Sequence, residues 1–157
     1  EFKPQELANF IWSQAVILCD SPAVACIALR ASQIHSEFSC QSMANFTWAY
    51  AKLGYQSDSM IAVLQDAATT KIDRMSEQDL STTFWAFSTM QHRDDLFVAS
   101  FKSALILKLQ ERPIKSQHAS NILWALASVL FQDAPFFHAI GKSVKKSIST
   151  FTPQDLS

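Results

Sequence analysis

The arrangement of apolar and polar positions along this chain repeats about every 37 residues. Each copy has an apolar residue three positions before a Gln and, when complete, a Trp seven positions after it. The marker residues are Gln5, Gln41, Gln78, Gln117 and Gln154, separated by 36, 37, 39 and 37 residues. A repeat of this length is typical of a solenoid of helical hairpins, because each hairpin can bury its apolar face only by stacking on its neighbours.

Start signals for two helices are found in each copy. Ser76 and Asp79 have the spacing of a capping box, in which each side chain accepts a hydrogen bond from the other residue's backbone N–H. The apolar residue before each marker Gln is placed to pack on the first helical turn as a hydrophobic staple. These staple residues are Phe2, Phe38, Met75, Ile114 and Phe151. The second helices are predicted to begin at Asp20-Ser21-Pro22, Ser57-Asp58, Asp94-Asp95 and Asp133-Ala134-Pro135.

We therefore predict an all-α fold, an α-solenoid of stacked antiparallel helical hairpins with a period of about 37 residues. It comprises four full repeats and a partial fifth in one helical-repeat domain, residues 1–157. The repeats span approximately residues 2–37, 38–74, 75–113 and 114–150, and the partial repeat spans 151–157. Because the chain begins without Met and both of its ends fall inside the repeat pattern, we expect it to be part of a longer or processed protein.

Every tryptophan of the chain falls at the same position of a repeat. The residues one and three positions after each Trp are Ala or Ser, which would let neighbouring helices approach closely. We predict that the four indoles form the structural core between repeats; the alternative is a set of platforms on which nucleic-acid bases stack. The residues are Trp12, Trp48, Trp85 and Trp124.

Composition excludes several classes of protein. No apolar run approaches the roughly 20 residues that span a bilayer. Three cysteines without a C-x-x-C pair indicate neither a zinc site nor a disulfide framework, and we expect them to be small buried residues. There is no Gly-rich phosphate loop, no Ser/His/Asp arrangement and no ligand spacing among the histidines. We predict no enzymatic activity, metal, cofactor or small-molecule substrate.

Two sets of polar residues are candidates for binding. An Asn recurs four positions after the marker Gln, as Asn9, Asn45 and Asn121, and would contact either RNA or a neighbouring repeat. Although the net charge is −1, residues 1–98 carry 6 basic and 11 acidic side chains, whereas residues 99–157 carry 7 and 3. The C-terminal basic residues would form either a phosphate-binding stripe or a solvated face. They are Lys102, Lys108, Arg112, Lys142, Lys145 and Lys146.

The F-x-P-Q-x-L-A-N-x-x-W-A-x-A-x-L pattern, clearest at residues 2–12, 38–53 and 114–127, resembles a known repeat type. It is similar to the octotricopeptide and heptatricopeptide repeats of algal, dinoflagellate and apicomplexan organelles, and to helical repeats of RAP-domain and FAST-kinase-like proteins. The resemblance implies an organellar protein, mitochondrial or chloroplast, that binds single-stranded RNA in processing, stability or translation.

The alternative implied by the resemblance is a scaffold subunit held among the protein subunits of a large organellar assembly. Near-neutral net charge favours it, as do three aromatic side chains that we expect to be exposed, Tyr55, Phe136 and Phe137. Open ends of a stack also leave apolar surface that a further repeat or a partner covers.

Overall fold

The computed structural model describes residues 2–19, 21–130 and 132–148, and these residues form eight α-helices and no strand. The helices are α1 (Pro4–Val16), α2 (Ala23–Ile34), α3 (Cys40–Lys52), α4 (Asp58–Thr69), α5 (Glu77–Thr89), α6 (Asp95–Glu111), α7 (Ser116–Ser128) and α8 (Ala134–Ser147). Short 3₁₀ turns at His35–Glu37 and Ile72–Arg74 precede α3 and α5. The all-α prediction is confirmed. The partial repeat at 151–157 lies outside the described residues.

Alternate helices pack on one another in two layers. The first layer contains α1, α3, α5 and α7, which pack side by side along most of their length. The second layer contains α2, α4, α6 and α8, which contact one another less extensively, and consecutive helices join the two layers. This contact pattern fits a stacked arrangement of the helices.

Helix starts agree with the sequence signals. The backbone N–H of Asp79 donates to Ser76 Oγ at 3.1 Å, and the backbone N–H of Ser76 donates to Asp79 Oδ2 at 3.0 Å, so the predicted capping box is confirmed. Three of the predicted second-layer starts have a side-chain N-cap that accepts a backbone N–H, which satisfies donors left open in the first turn. These caps are Ser57, Asp94 and Asp133.

The core lies between the layers and is rich in aromatic residues. Phe84 of α5 and Phe101 of α6 stack with ring centroids 4.0 Å apart and an interplanar angle of 11°, which joins the first layer to the second. Phe38, Met75 and Ile114 are buried as staples should be. Phe2, at the equivalent position before α1, is exposed.

Two expectations about exposure are wrong. Phe136 is buried rather than exposed, because it lies one turn before the buried Ile140 on the inner face of α8; Phe137 and Tyr55 are partly buried against the core. Cys19 and Cys26 are exposed and Cys40 is partly exposed, contrary to the predicted burial. Cys26 projects outward because the buried face of α2 is formed by Val24, Ile27, Ala31 and Ile34.

Two residues after each first-layer helix ends, the chain has a residue with a left-handed backbone, thirteen positions after the marker Gln. These residues are Leu18, Gly54, Gln91 and Leu130, with φ of 52°, 80°, 55° and 52°. In the first three helices the backbone makes the hydrogen-bond pair of a Schellman motif, such as Gly54 N–H to Ala51 O and Tyr55 N–H to Tyr50 O. Only one of the four positions has the glycine that this conformation favours.

We expect Leu18→Gly to raise the free energy of unfolding by about 1 kcal/mol, because Leu pays a steric cost in this conformation. The Leu18 side chain is 67% exposed, so its loss removes little buried surface. The matched variant is Gly54→Ala, whose added Cβ meets no atom within 4 Å and whose cost is therefore conformational. Urea unfolding followed by circular dichroism measures both. A destabilised Leu18→Gly protein would contradict the expectation.

Candidate nucleic-acid interface

The marker Gln, the Asn column and the Trp column share one side of the first layer. Positions i, i+4 and i+7 of an α-helix lie within about 60° of one another around the axis, so the three side chains form a stripe along each helix. The four stripes lie side by side because the helices do, and we call this surface the amide–indole face. It comprises Gln5, Asn9 and Trp12 on α1; Gln41, Asn45 and Trp48 on α3; Gln78, Thr82 and Trp85 on α5; and Gln117, Asn121 and Trp124 on α7.

The tryptophans form a row at the surface rather than an interior core. Trp85 lies between Trp48 and Trp124, with ring centroids 6.4 Å and 5.9 Å away. Trp12 is 46% exposed, Trp124 is 51% exposed, and the two central indoles are partly buried. The prediction that all four form the core is therefore wrong for Trp12 and Trp124.

Helix geometry explains why the tryptophans were misplaced. Three of the four tryptophans are followed by an alanine, which lies about 100° further round the helix. Ser13, which follows Trp12, is exposed. Ala49, Ala86 and Ala125 are fully buried, as the close-approach interpretation expects. The alanines thus form the seam between helices, and the indoles cover its outer edge.

The predicted Asn residues share this face. Asn9 is exposed, whereas Asn45 and Asn121 are partly buried. Asn45 and Thr82, which occupy equivalent positions on α3 and α5, line one polar cleft of about 190 Å³. The other residues of the cleft are Gln41, Ser76, Gln78 and Asp79, and all six carry hydrogen-bonding side chains. Ser76 Oγ donates to Asp79 Oδ2 at 2.7 Å within the cleft, and the other four side chains carry amide or hydroxyl groups.

Five of the six predicted basic residues lie along one edge of the molecule, beside the start of α7. Ser143 of α8 joins this helix to the residues before α7, since its Oγ accepts a hydrogen bond from the backbone N–H of Ile114 at 2.9 Å. Lys142 and Lys146 line a groove of about 290 Å³ between α6 and α8. Together with Lys115, which occupies the N-cap position of α7, these residues form what we call the basic edge. It comprises Lys108, Arg112, Lys115, Lys142, Lys145 and Lys146; the acids Glu111 and Asp73 share a cleft with Lys108.

Lys102 is placed elsewhere. Its Nζ donates to Asp133 Oδ2 at 2.7 Å, at the start of α8 and so at the opposite end of that helix from Lys145 and Lys146. The hydrogen bond from Lys102, and after it the one from the Phe136 backbone N–H, lowers the pKa of Asp133. Because Lys102 lies beside the start of α8 and not beside its end, the prediction that it belongs to the same basic stripe is wrong.

A buried carboxylate holds the basic edge to α5. Glu77 Oε1 accepts the backbone N–H of Lys115 at 2.9 Å and bonds to His118 Nδ1 at 2.7 Å, while Arg112 Nε lies 3.7 Å from Oε2. Burial alone raises the pKa of Glu77, but the hydrogen bonds from His118 and Lys115 and the charges of His118 and Arg112 outweigh it and lower the pKa.

Sequence reasoning did not find this carboxylate. Glu77 and His118 are separated by 41 residues, and no local pattern connects them. A comparison of equivalent positions contains a weak signal: Glu77 replaces Pro4, Cys40 and Ser116 directly before the marker Gln.

Other chemistry finds no support in the described part of the chain. No group of three or more His, Cys, Asp or Glu side chains there is arranged to hold a metal ion. None of the described helices combines the length and apolarity needed to cross a bilayer. No protein-family model matches the chain, and no curated protein matches it significantly.

Proposed function

We propose that this chain is a non-catalytic α-solenoid that binds single-stranded RNA. The solenoid would consist of stacked antiparallel hairpins with a period of about 37 residues, four full repeats and the beginning of a fifth. The regular spacing of the marker Gln residues and the packing of alternate helices support it. The observation that carries the RNA proposal is the position of the basic edge at the start of α7, the helix that presents Gln117, Asn121 and Trp124.

The two surfaces supply the two kinds of contact that single-stranded RNA requires. Lysine and arginine side chains neutralise phosphates and provide most of the sequence-independent affinity. Asn and Gln amides hydrogen-bond to base edges, and indole rings contribute stacking or edge contacts of about 1–3 kcal/mol per base. RNA bound in this way would run across the first layer with its phosphates nearest the C-terminal helices, because residues 1–98 have a net charge of −5 from 6 basic and 11 acidic side chains.

A salt titration tests this proposal. We expect a fluorescent single-stranded RNA to bind with an affinity that falls as salt rises. The triple variant Lys142→Gln, Lys145→Gln, Lys146→Gln should reduce the slope of log affinity against log salt by about 2, because each lost phosphate contact removes about 0.7. Affinity at about 0.1 M salt should fall about a hundredfold, because a slope lower by about 2 acts over one decade of salt below 1 M. Fluorescence anisotropy measures both quantities, and the three lysines are exposed or project from the end of α8, so the fold should be preserved.

The matched control removes three exposed cations outside the basic edge, as Lys3→Gln, Lys52→Gln, Arg93→Gln. It changes the net charge equally and should leave the slope almost unchanged. Equal losses in the two triple variants would mean that only net charge matters, and binding that does not depend on salt would contradict the proposal.

A scaffold subunit within a large organellar assembly is the second candidate. The observation that favours it is the low charge of the amide–indole face, whose twelve defining side chains include no Lys, Arg, Asp or Glu. Such a surface also suits an extended polypeptide, whose backbone offers the same donors and acceptors to amides. We place either activity in a mitochondrion or chloroplast on the strength of the repeat resemblance. Purification of the native protein would distinguish them by recovering RNA or a defined set of subunits.

A further inference from the structure

A groove on the second layer has a chemistry opposite to that of the basic edge. It lies between α4 and α6 and has a volume of about 560 Å³, whereas the equivalent α2–α4 and α6–α8 grooves measure about 270 and 290 Å³. Its floor is formed by Ile61 and Phe97, which are buried, and its rim by Leu96, which is 82% exposed. The groove thus combines two buried apolar side chains with one exposed leucine.

The charged side chains that line this groove are all carboxylates. Asp58 and Asp66 come from α4 and Asp94 from the cap of α6, and no Lys or Arg lines the groove. His92 also lines it but is hydrogen-bonded to Gln65. Asp95, just outside, is paired with Arg93 at 3.4 Å. By contrast, the charged side chains that line the neighbouring α6–α8 groove are Lys142 and Lys146. The charge of the lining residues therefore changes from negative to positive between these two grooves.

The charge of this groove makes it unsuitable for RNA, the ligand proposed for the first layer. Three carboxylates repel a phosphate backbone, so RNA is disfavoured here. The same carboxylates attract ammonium and guanidinium groups, and the exposed Leu96 side chain offers apolar surface that an aliphatic or aromatic side chain would bury. A polypeptide segment that alternates basic and apolar side chains supplies both.

We propose that the α4–α6 groove is a docking site for a basic amphipathic segment of a partner protein. One apolar side chain of the partner packs on Ile61, Leu96 and Phe97, and its Lys or Arg side chains pair with Asp58 and Asp66. This site is separate from the amide–indole face and the basic edge, so the chain can hold RNA and a protein at the same time. The proposal does not depend on RNA binding.

The test uses two fluorescein-labelled synthetic peptides with leucines at helical spacing, one with lysines at the intervening positions and one with glutamates. We expect saturable binding of the lysine peptide to the full chain, weakened by added salt, and no binding of the glutamate peptide. Leu96→Gln should weaken binding about fivefold through lost apolar contact, and the double variant Asp58→Asn, Asp66→Asn by a similar factor.

Matched variants come from a different cleft, which α6 forms with the 3₁₀ turn at Ile72–Arg74. Leu107→Gln replaces a leucine that is 57% exposed, and the double variant Asp73→Asn, Glu111→Gln removes the two acids of that cleft; neither should change binding. Failure of the lysine peptide to saturate, equal binding of the glutamate peptide, or equal losses in the matched variants would overturn the proposal. So would a concentration-dependent dimer that Leu96→Gln disrupts, since the groove's occupant would then be a second copy of this chain.

Discussion

Phe101→Ala is expected to lower the free energy of unfolding by about 4 kcal/mol, the middle of the range for loss of a buried aromatic ring. Phe101 is almost completely buried, and its ring stacks on Phe84 at 4.0 Å, so its removal leaves a cavity where α5 meets α6 and also removes an aromatic contact. Neighbouring side chains cannot fill the space easily, because the rings span the boundary between the two layers.

The comparison for Phe101→Ala is Trp124→Ala, a larger truncation at an exposed position. About half of the Trp124 surface is in contact with solvent, so we expect it to cost only about 1–2 kcal/mol despite its stacking on Trp85. Urea unfolding followed by far-UV circular dichroism gives both values. Equal costs would mean that the indole row belongs to the core after all.

Glu77→Ala should be the most damaging change of a charged residue, lowering the free energy of unfolding by about 3 kcal/mol. The substitution leaves the Lys115 N–H and the His118 ring without their acceptor, and both groups lie between α5 and α7. Glu37→Ala, at an exposed position in the 3₁₀ turn before α3, removes the same charge and should cost less than about 0.5 kcal/mol.

The pH dependence of Glu77→Gln separates the charge of Glu77 from its shape. Because the folded state lowers the pKa of Glu77, the carboxylate stabilises the protein fully above its unfolded pKa of about 4.3 and loses this effect as pH falls through the folded pKa. The stability difference between wild type and Glu77→Gln should therefore be largest near neutral pH and shrink below about pH 4.3. Urea titrations along a pH series measure it; a constant difference would show that charge plays no part.

Local signals predicted the elements of this fold well. A capping box such as Ser76 with Asp79 involves residues three apart, so the sequence contains the whole interaction. The same holds for the caps Ser57, Asp94 and Asp133, which bond to the N–H three residues later. The marker Gln spacing then indicated which helices are equivalent.

Features that depend on the stack could not be found in this way. The left-handed helix ends were missed because only Gly54 has the residue that signals them, and Leu18 and Leu130 do not. The Glu77 and His118 contact joins positions that only stacking of α5 and α7 brings together. Burial of the tryptophans was overestimated because a large aromatic residue beside alanines is compatible with either the seam or its outer edge.

The row of indoles gives the protein an optical property of its own. Three rings with centroid separations of 6.4 Å and 5.9 Å are close enough for their electronic transitions to couple. Since Trp48, Trp85 and Trp124 belong to α3, α5 and α7, the coupling exists only while those helices keep their register. The near-ultraviolet circular dichroism of the unlabelled protein would thus report on how one first-layer helix sits against the next, independently of how much helix is present.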